Sequence, residues 1–554
     1  MSFLKPLLLL AYLLSGHDYY RGRLAELEGV GATVLFLGMF GFLVACLFLA
    51  AYCRQAVLRW GYALALFGAA VFFDAYHRVT VDYLTYPQFV SLLHSHAFID
   101  EAYHQFRDSI LHAGATGVLL LLGIGLRPAS APVPGWVAGV APWVGLLLLA
   151  SVLFVRAGAG ARGLPMMYTP LAYLGLYSYE ALGDTVGERQ PVSLPRSGRV
   201  VDHDIVLIID ESVSGHYLDI NHPQGVTSGL KSLPPGVSLF NYGYAASIAN
   251  CSADTNVTLR YGGTRDDYLR INSTMPSIWQ YARQAGLRTV YIDAQRTHGA
   301  LQNLMTKDEV LELDAFIQYD DVRVRDRDMA VADSLVELLG NDRPELILVN
   351  KMGAHFPVHD KFPDEFLRYQ PALPRGRYLD IGDTGERDGF DGRAEDWLRY
   401  RNSYRNTLLW NVGEFFSRLL ARADLSRAVV LYTSDHGQDL HERGNPGLNT
   451  HCGGDPVVEE GLVPLVVLQG SNLQTLDWAA ALEANRNNSS HYNLFPTLLQ
   501  LLGYELEAIR VTYGTPLSLH SDDEFTFNTR FNARLGAEPA WKRIELDELV
   551  SPDL

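Results

Sequence analysis

Four long apolar runs lie within the first 156 residues, and they constrain this chain more than anything else in it. Gly29–Cys53 is 25 residues without a charge, long enough to cross ~30 Å of hydrocarbon as a helix. Trp60–Phe73, with Gln55–Leu58 before it, nearly spans. Ser109–Leu126 and Pro128–Val155 follow, stopped by Arg127 and Arg156. A water-soluble core has no room for four such runs so close together. Lys5 precedes a shorter apolar stretch, Pro6–Gly16, which reads either as a signal-peptide core or as a first span. No small-x-small cleavage site is obvious near it, so the reading adopted is an uncleaved helix and five spans in all.

Charge in the short connections sets the orientation. Arg54 and Arg59, and then Arg127, mark cytoplasmic loops. The Asp74–Asp108 connection is acidic overall and reads as external. Everything after Arg156 then lies outside, which in a bacterium is the periplasmic side of the inner membrane. The whole chain carries a formal net charge of −17 in 554 residues and no long basic run. Nucleic acid is therefore excluded as a partner.

After Arg156 the pattern changes. Residues 157–200 read as a connector with an interfacial helix over Tyr168–Leu182, and 201–554 as one catalytic domain. Short β-branched runs (Ile205–Ile209, Thr289–Asp293, Leu346–Asn350, Ala428–Thr433, Val463–Leu468) interleave with helical patterns at Pro276–Ala285, Arg327–Leu339, Trp397–Ala423 and Leu494–Leu502. This alternation predicts an α/β domain whose mostly parallel sheet is covered by helices on both faces. Residues 371–394, rich in Pro, Gly and Asp, read as a surface insertion.

In such sheets ligands bind beyond the carboxyl ends of the strands, and three polar segments stand there. Asp210-Glu211-Ser212 follows the first strand. Ser434-Asp435-His436-Gly437 follows Val429–Tyr432, and its adjacent oxygen and nitrogen ligands suit zinc. Asn250-Cys251-Ser252-Ala253-Asp254-Thr255 reads as the entry to a helix, where a hydroxyl would sit among unpaired backbone N–H groups. His355, in Met352-Gly-Ala-His355-Phe-Pro357, and His451 have the chemistry to bind phosphate, to act as an acid or to ligate a second metal. His216, His298, His359 and His441 read as surface residues.

This ordered set resembles the membrane-bound phosphoethanolamine transferases of the sulfatase and alkaline phosphatase superfamily, and His491-Tyr-Asn-Leu-Phe is similar to a His-x-Asn-x-Phe stretch of theirs. The resemblance covers about residues 1–510 in layout and is specific at the short motifs. It implies that Glu211, Asp435 and His436 bind zinc, one ion or two, that Thr255 is the nucleophile and a further metal ligand, and that His355 and His451 bind the donor phosphate or a second zinc. Asp210 stands where the family usually has Gly, and either binds metal or orients Glu211. The reaction implied takes phosphoethanolamine from a phospholipid donor, phosphatidylethanolamine, onto Thr255 and then onto an envelope glycan or glycolipid acceptor of lipopolysaccharide type. Phosphoglycerol transfer, phospho- or sulfo-ester hydrolysis and an inactive envelope scaffold are the rival outcomes. Two departures stand out. The second Cys that usually follows the first by ten residues is replaced by Tyr261, so Cys251 either pairs with Cys452 or both remain thiols. The donor-contacting stretch reads Asp293-Ala-Gln-Arg-Thr-His298. A Cys-x-Pro-x-Arg segment of the formylglycine sulfatases is missing.

Overall fold

The computed structural model describes residues 3–552 except 28, 95–98, 130–132, 157, 184–188, 376–389, 391 and 532–537. Most of the expected 371–394 insertion thus lies outside the described residues. The chain forms two compact units: residues 1–185 with 446–449 and 532–539, and residues 186–445 with 450–531 and 540–554.

The first unit is helical: α1 (Leu4–Ser15), α2 (His17–Glu26), α3 (Val30–Ala50), α4 (Ala56–Thr80), α5 (Tyr86–His94), α6 (Ile99–Gly125), α7 (Gly135–Val155) and α8 (Thr169–Gly183). Among the described residues, four helices are long and apolar enough to cross a membrane: α3, α4, the Phe106–Gly125 part of α6, and α7. The fifth crossing expected from the sequence is not met by length. The apolar α1 has 12 residues and rises only about 18 Å. Its position is nevertheless defined. The buried Lys5 ammonium donates to the Ile124 carbonyl at 2.8 Å, at the end of α6, where Arg59 Nε donates to Gly125 O at 2.9 Å. Two cations thus satisfy carbonyls at the end of that helix, where a positive charge is favoured. In α2, Tyr19 packs edge-on against Phe73 and His77, near the opposite end of α4.

The second unit is built on an eight-stranded sheet of order β4-β3-β5-β1-β6-β7-β2-β8. The strands are β1 (Asp204–Asp210), β2 (Val237–Ala246), β3 (Arg288–Asp293), β4 (Ala315–Ile317), β5 (Glu345–Asn350), β6 (Ala428–Ser434), β7 (Leu462–Gly470) and β8 (Ser489–Ser490). Strands β4, β3, β5, β1 and β6 run parallel, and β7 is antiparallel to both β6 and β2. All seven residues of β1 and of β6 are buried, which is why these strands read as unbroken apolar runs rather than as alternating ones. β2 escaped the sequence reading because its Val-Ser-Leu-Phe-Asn-Tyr-Gly-Tyr pattern mixes polar residues into a half-buried strand, with a register shift between Asn241 and Gly243. The register Asp210↔Ser434 sets the carboxyl ends of β1 and β6 side by side. Whatever follows these two strands therefore meets.

Candidate active site

Three acidic and imidazole groups converge just beyond that sheet edge. Glu211 and Asp435–His436 follow β1 and β6 directly, and backbone bonds pin the two turns together: Asp435 N–H donates to Asp210 O at 2.8 Å and Ser212 N–H to Asp435 Oδ1 at 2.9 Å. Ser212 takes up φ 61°, a left-handed conformation rare for a side chain with Cβ, so the chain reverses sharply after Glu211. Glycines allow the neighbouring segments to come close. A Cβ on Gly353 would stand 2.4 Å from Asp210 Oδ1, and one on Gly437 would stand 2.0 Å from the Glu459 carbonyl. The close approach at Gly437 is thus to the Glu459 backbone.

Potential ligand atoms of Glu211, Asp435 and His436 lie within 4.8 Å of one another, and all three residues are buried. His436 Nε2 is 3.5 Å from Glu211 Oε1 and 3.7 Å from Asp435 Oδ2. His436 Nδ1 faces the Gly437 carbonyl at 2.7 Å, which assigns the proton there and leaves the Nε2 lone pair turned toward the carboxylates. Burial, together with the neighbouring Asp435 carboxylate, pushes the Glu211 carboxyl up to about 8, and burial pushes Asp435 up to about 6. Asp435 Oδ2 is buried with no hydrogen-bond partner. Two adjacent buried carboxylates, an orphaned oxygen and a lone pair from imidazole form a donor set that a divalent cation would satisfy, and O,O,N ligation suits zinc. The residues fit the metal.

Asp210 does not join this group. Its Oδ2 accepts from the Lys351 ammonium at 2.8 Å and from the Tyr432 hydroxyl at 3.1 Å, and Lys351 Nζ also lies 3.7 Å from Asp328 Oδ2. Lys351, Asp210 and Asp328 have fully buried side chains. The extra carboxylate of Asp-Glu-Ser is therefore matched to an ammonium beneath the site. Asp328 in turn accepts from the Met352 and Gly353 N–H groups at 2.8 and 3.0 Å, and so fixes the loop that carries His355.

His451 reaches the site. Its ring stacks on His436 with centroids 4.6 Å apart. His355 stacks on Phe356 at 4.4 Å, and Phe356 lies 6.2 Å from the His451 ring. Both imidazoles are held neutral: burial depresses each, followed by the Lys361 ammonium for His355 and by His436 for His451. Cys251 and Cys452 form a disulfide, which resolves the alternative that the sequence left open. It ties the residue that caps α9 (Ser252–Tyr261) to the residue after His451.

Thr255 stands elsewhere. Its side chain is fully buried one turn into α9, and its Oγ1 lies 3.4 Å from both the N and the O of Ala249. The hydroxyl of α9 that meets the acidic group is Ser252, with Oγ 3.2 Å from Glu211 Oε1 and 3.1 Å from His436 Nε2. The sequence carries no separate signal for Ser252, because the family spacing points to the fourth residue after Cys. Gln295 is equally without a signal in the sequence: its amide donates to Glu211 Oε2 at 3.1 Å and to Lys351 O at 2.7 Å, so the Asp293–His298 stretch braces the carboxylate. His216, His359 and His441 are buried, contrary to the surface reading, and His441 stacks on Trp397 at 3.8 Å. His298 is exposed. His491 is buried under β6, with Nε2 2.8 Å from Thr433 Oγ1.

A parallel sheet that delivers acid and imidazole groups from two adjacent strand ends, beside the first turn of a hydroxyl-bearing helix, is the layout of a sulfatase-type centre. The sulfatase family model matches residues 203–504, and the chain belongs to that family. Among curated proteins it is similar to the Kdo(2)-lipid A phosphoethanolamine 7''-transferase of Escherichia coli K12, 22% identical over 358 residues, which cover 60% of this chain and 58% of the relative. It is also similar to phosphoethanolamine transferase EptC of the same strain, 23% identical over 372 residues and 61% of each chain. The chain thus spans about three-fifths of the length of these relatives. The integral membrane lipooligosaccharide phosphoethanolamine transferase A of Neisseria meningitidis shares the fold with a TM-score of 0.64 at 16% identity, covering 93% of this chain and 99% of that one.

Proposed function

We propose that this protein is a zinc-dependent phosphoethanolamine transferase, which moves the group from phosphatidylethanolamine to a lipid A-type glycolipid at the periplasmic face of the bacterial inner membrane. The observation that carries the reading is the buried Glu211–Asp435–His436 group with an α9 hydroxyl against it, in a chain that also has four membrane-length helices. Two relatives named for phosphoethanolamine transfer support the choice of headgroup. The disulfide suits an oxidising compartment outside the cytoplasm.

Glu211, Asp435 and His436 would hold the Zn²⁺, which when bound stabilises negative charge developing on the reacting oxygens. The chain's own residues do the rest. Gln295 fixes Glu211, and the β1–β6 backbone bonds fix Asp435. The first N–H groups of α9 have no intrahelical partner and face a phosphoryl group favourably. Neutral His451, stacked beside His436, is placed to donate one hydrogen bond to a phosphate oxygen. A hydroxyl of α9 takes the phosphoethanolamine group, and the acceptor then removes it.

The test uses the full-length chain in vesicles of phosphatidylethanolamine or of phosphatidylglycerol, with lipid A as acceptor and mass spectrometry of the lipid A product. Modification with phosphatidylethanolamine alone, lost on chelation and restored by Zn²⁺, is the expected result. A glycerophosphate adduct, or free phosphoethanolamine without transfer, would replace this reading by phosphoglycerol transfer or hydrolysis.

A further inference from the structure

We infer that Ser252, rather than Thr255, is the hydroxyl that accepts the phosphoethanolamine group. The inference rests on the functional reading above and assigns its covalent step. Four observations point the same way. Ser252 Oγ is within hydrogen-bonding distance of two members of the acidic group, Glu211 Oε1 at 3.2 Å and His436 Nε2 at 3.1 Å. Thr255 Oγ1 instead turns to the backbone N and O of Ala249, each at 3.4 Å. Ser252 is half-buried, so a substrate phosphorus has a path to it, whereas Thr255 has no exposed surface. Ser252 is also the first residue of α9, where helix N–H groups have no partner and anionic oxygens are stabilised, while Thr255 lies in the fourth position, and its own N–H donates to Cys251 O at 3.3 Å.

The local covalent frame explains why the first residue is presented. Cys251 caps α9 from an extended conformation and is bonded to Cys452. Cys452 N–H donates to Asn250 O at 2.9 Å, and the Asn250 amide donates to Gly453 O at 3.1 Å and to Glu460 at 2.8 Å. The residues before Ser252 are thereby anchored to the His451 loop. The start of α9 cannot advance by the three residues needed to put Thr255 where Ser252 stands without breaking that disulfide.

In the step, a bond forms between Ser252 Oγ and the phospholipid phosphorus while the bond from phosphorus to the diacylglycerol oxygen breaks. The bonding pair goes to the diacylglycerol oxygen, which takes up a proton, and the Ser252 hydroxyl releases one. In the second half, an acceptor hydroxyl or phosphate oxygen attacks the same phosphorus, and Ser252 Oγ leaves and is reprotonated. No electron is exchanged with any co-reactant.

The experiment incubates the full-length protein with phosphatidylethanolamine vesicles without acceptor, quenches in acid, and maps the adduct by peptide mass spectrometry alongside diacylglycerol release and bound zinc. The expected adduct is on Ser252. Ser252→Ala is expected to remove the adduct and to slow diacylglycerol release by roughly a thousandfold or more, with the zinc content unchanged, and Ser252→Thr to restore part of both. Thr255→Ala is expected to keep the adduct. An adduct on Thr255, or diacylglycerol release by Ser252→Ala at the wild-type rate, overturns the assignment and leaves the function standing. Neither adduct nor diacylglycerol release from the zinc-loaded wild type overturns the function together with it.

Discussion

Beneath the site, single residues carry charges with no access to water, and their effects separate cleanly. Lys351 is enclosed by Asp210 and Asp328 and lies 4.1 Å over the Phe415 ring. Replacing it by Met would leave Asp210 buried without its cation, a loss of about 3–5 kcal/mol. The double variant Asp210→Asn/Lys351→Met should recover much of that. Thermal unfolding of the four proteins of the cycle reads the coupling, and additive losses would mean that the pair does not interact as placed. Asp204, at the opposite end of β1, gives a pH signature. Burial, with the Glu345 carboxylate adding to it, pushes its carboxyl from 3.8 up to about 7, against the Glu345 N–H that donates to Oδ1 at 2.9 Å. The folded protein therefore keeps a proton that the unfolded chain has lost. That contribution to stability is fully present below about pH 4 and disappears as pH rises through about 7, at ~1.4 kcal/mol per pKa unit. The melting temperature of Asp204→Asn should accordingly gain on that of the wild type as pH rises from about 4 to 7. A constant difference across that range would count against a protonated Asp204.

Among elements, the join between α9 and the His451 loop decides most. The disulfide spans a sequence separation of 201 residues, and removing such a long-range crosslink costs about 2–5 kcal/mol. Cys251→Ser/Cys452→Ser should lower the unfolding temperature to that extent and slow transfer, because both Ser252 and His451 lose their anchor. Zinc stoichiometry should stay unchanged, since its three proposed ligands follow β1 and β6 instead. Metal analysis beside the transfer assay checks both halves, and loss of zinc would show that the crosslink supports the strand ends too. The long helical pattern at Trp397–Ala423 shows the same limit of local reading. It is realised as Ala394–Leu408, a π-helical stretch Leu409–Glu414 and Phe415–Arg422. The Asn411 carbonyl accepts from Lys351 Nζ, and its amide donates to Gly353 O at 2.5 Å. The widened turn thus serves the charge cluster under the site, which no periodicity in the sequence records.

For the whole molecule, the membrane crossing is the sharpest test. Lys5 lies at the Arg59 end of the helical unit, and Tyr19 lies near the other end of α4, which is the placement that a fifth crossing through α1 and α2 would need. A tag before Lys5 should then be shielded from a membrane-impermeant label in intact inner-membrane spheroplasts, while a cysteine introduced at the exposed Lys307 is labelled. Labelling of both would place both termini of the bundle outside and reduce the crossings to four. The sequence by itself determined the two-part plan, the central parallel strands and the strand-end positions of Glu211, Asp435 and His436, because apolar runs, buried β-branched runs and polar residues at strand ends are local signals. The tertiary structure decided what depends on contacts between distant segments. Asp210 turned to Lys351, 141 residues away. Cys251 found Cys452. Of two hydroxyls three positions apart on one helix, Ser252 faced the acidic group while Thr255 turned to the backbone. Residues three apart share a helix face, one turn along the axis, so the sequence pattern does not separate them, and only the packing of the start of that helix against the ends of β1 and β6 fixes which of them meets the chemistry.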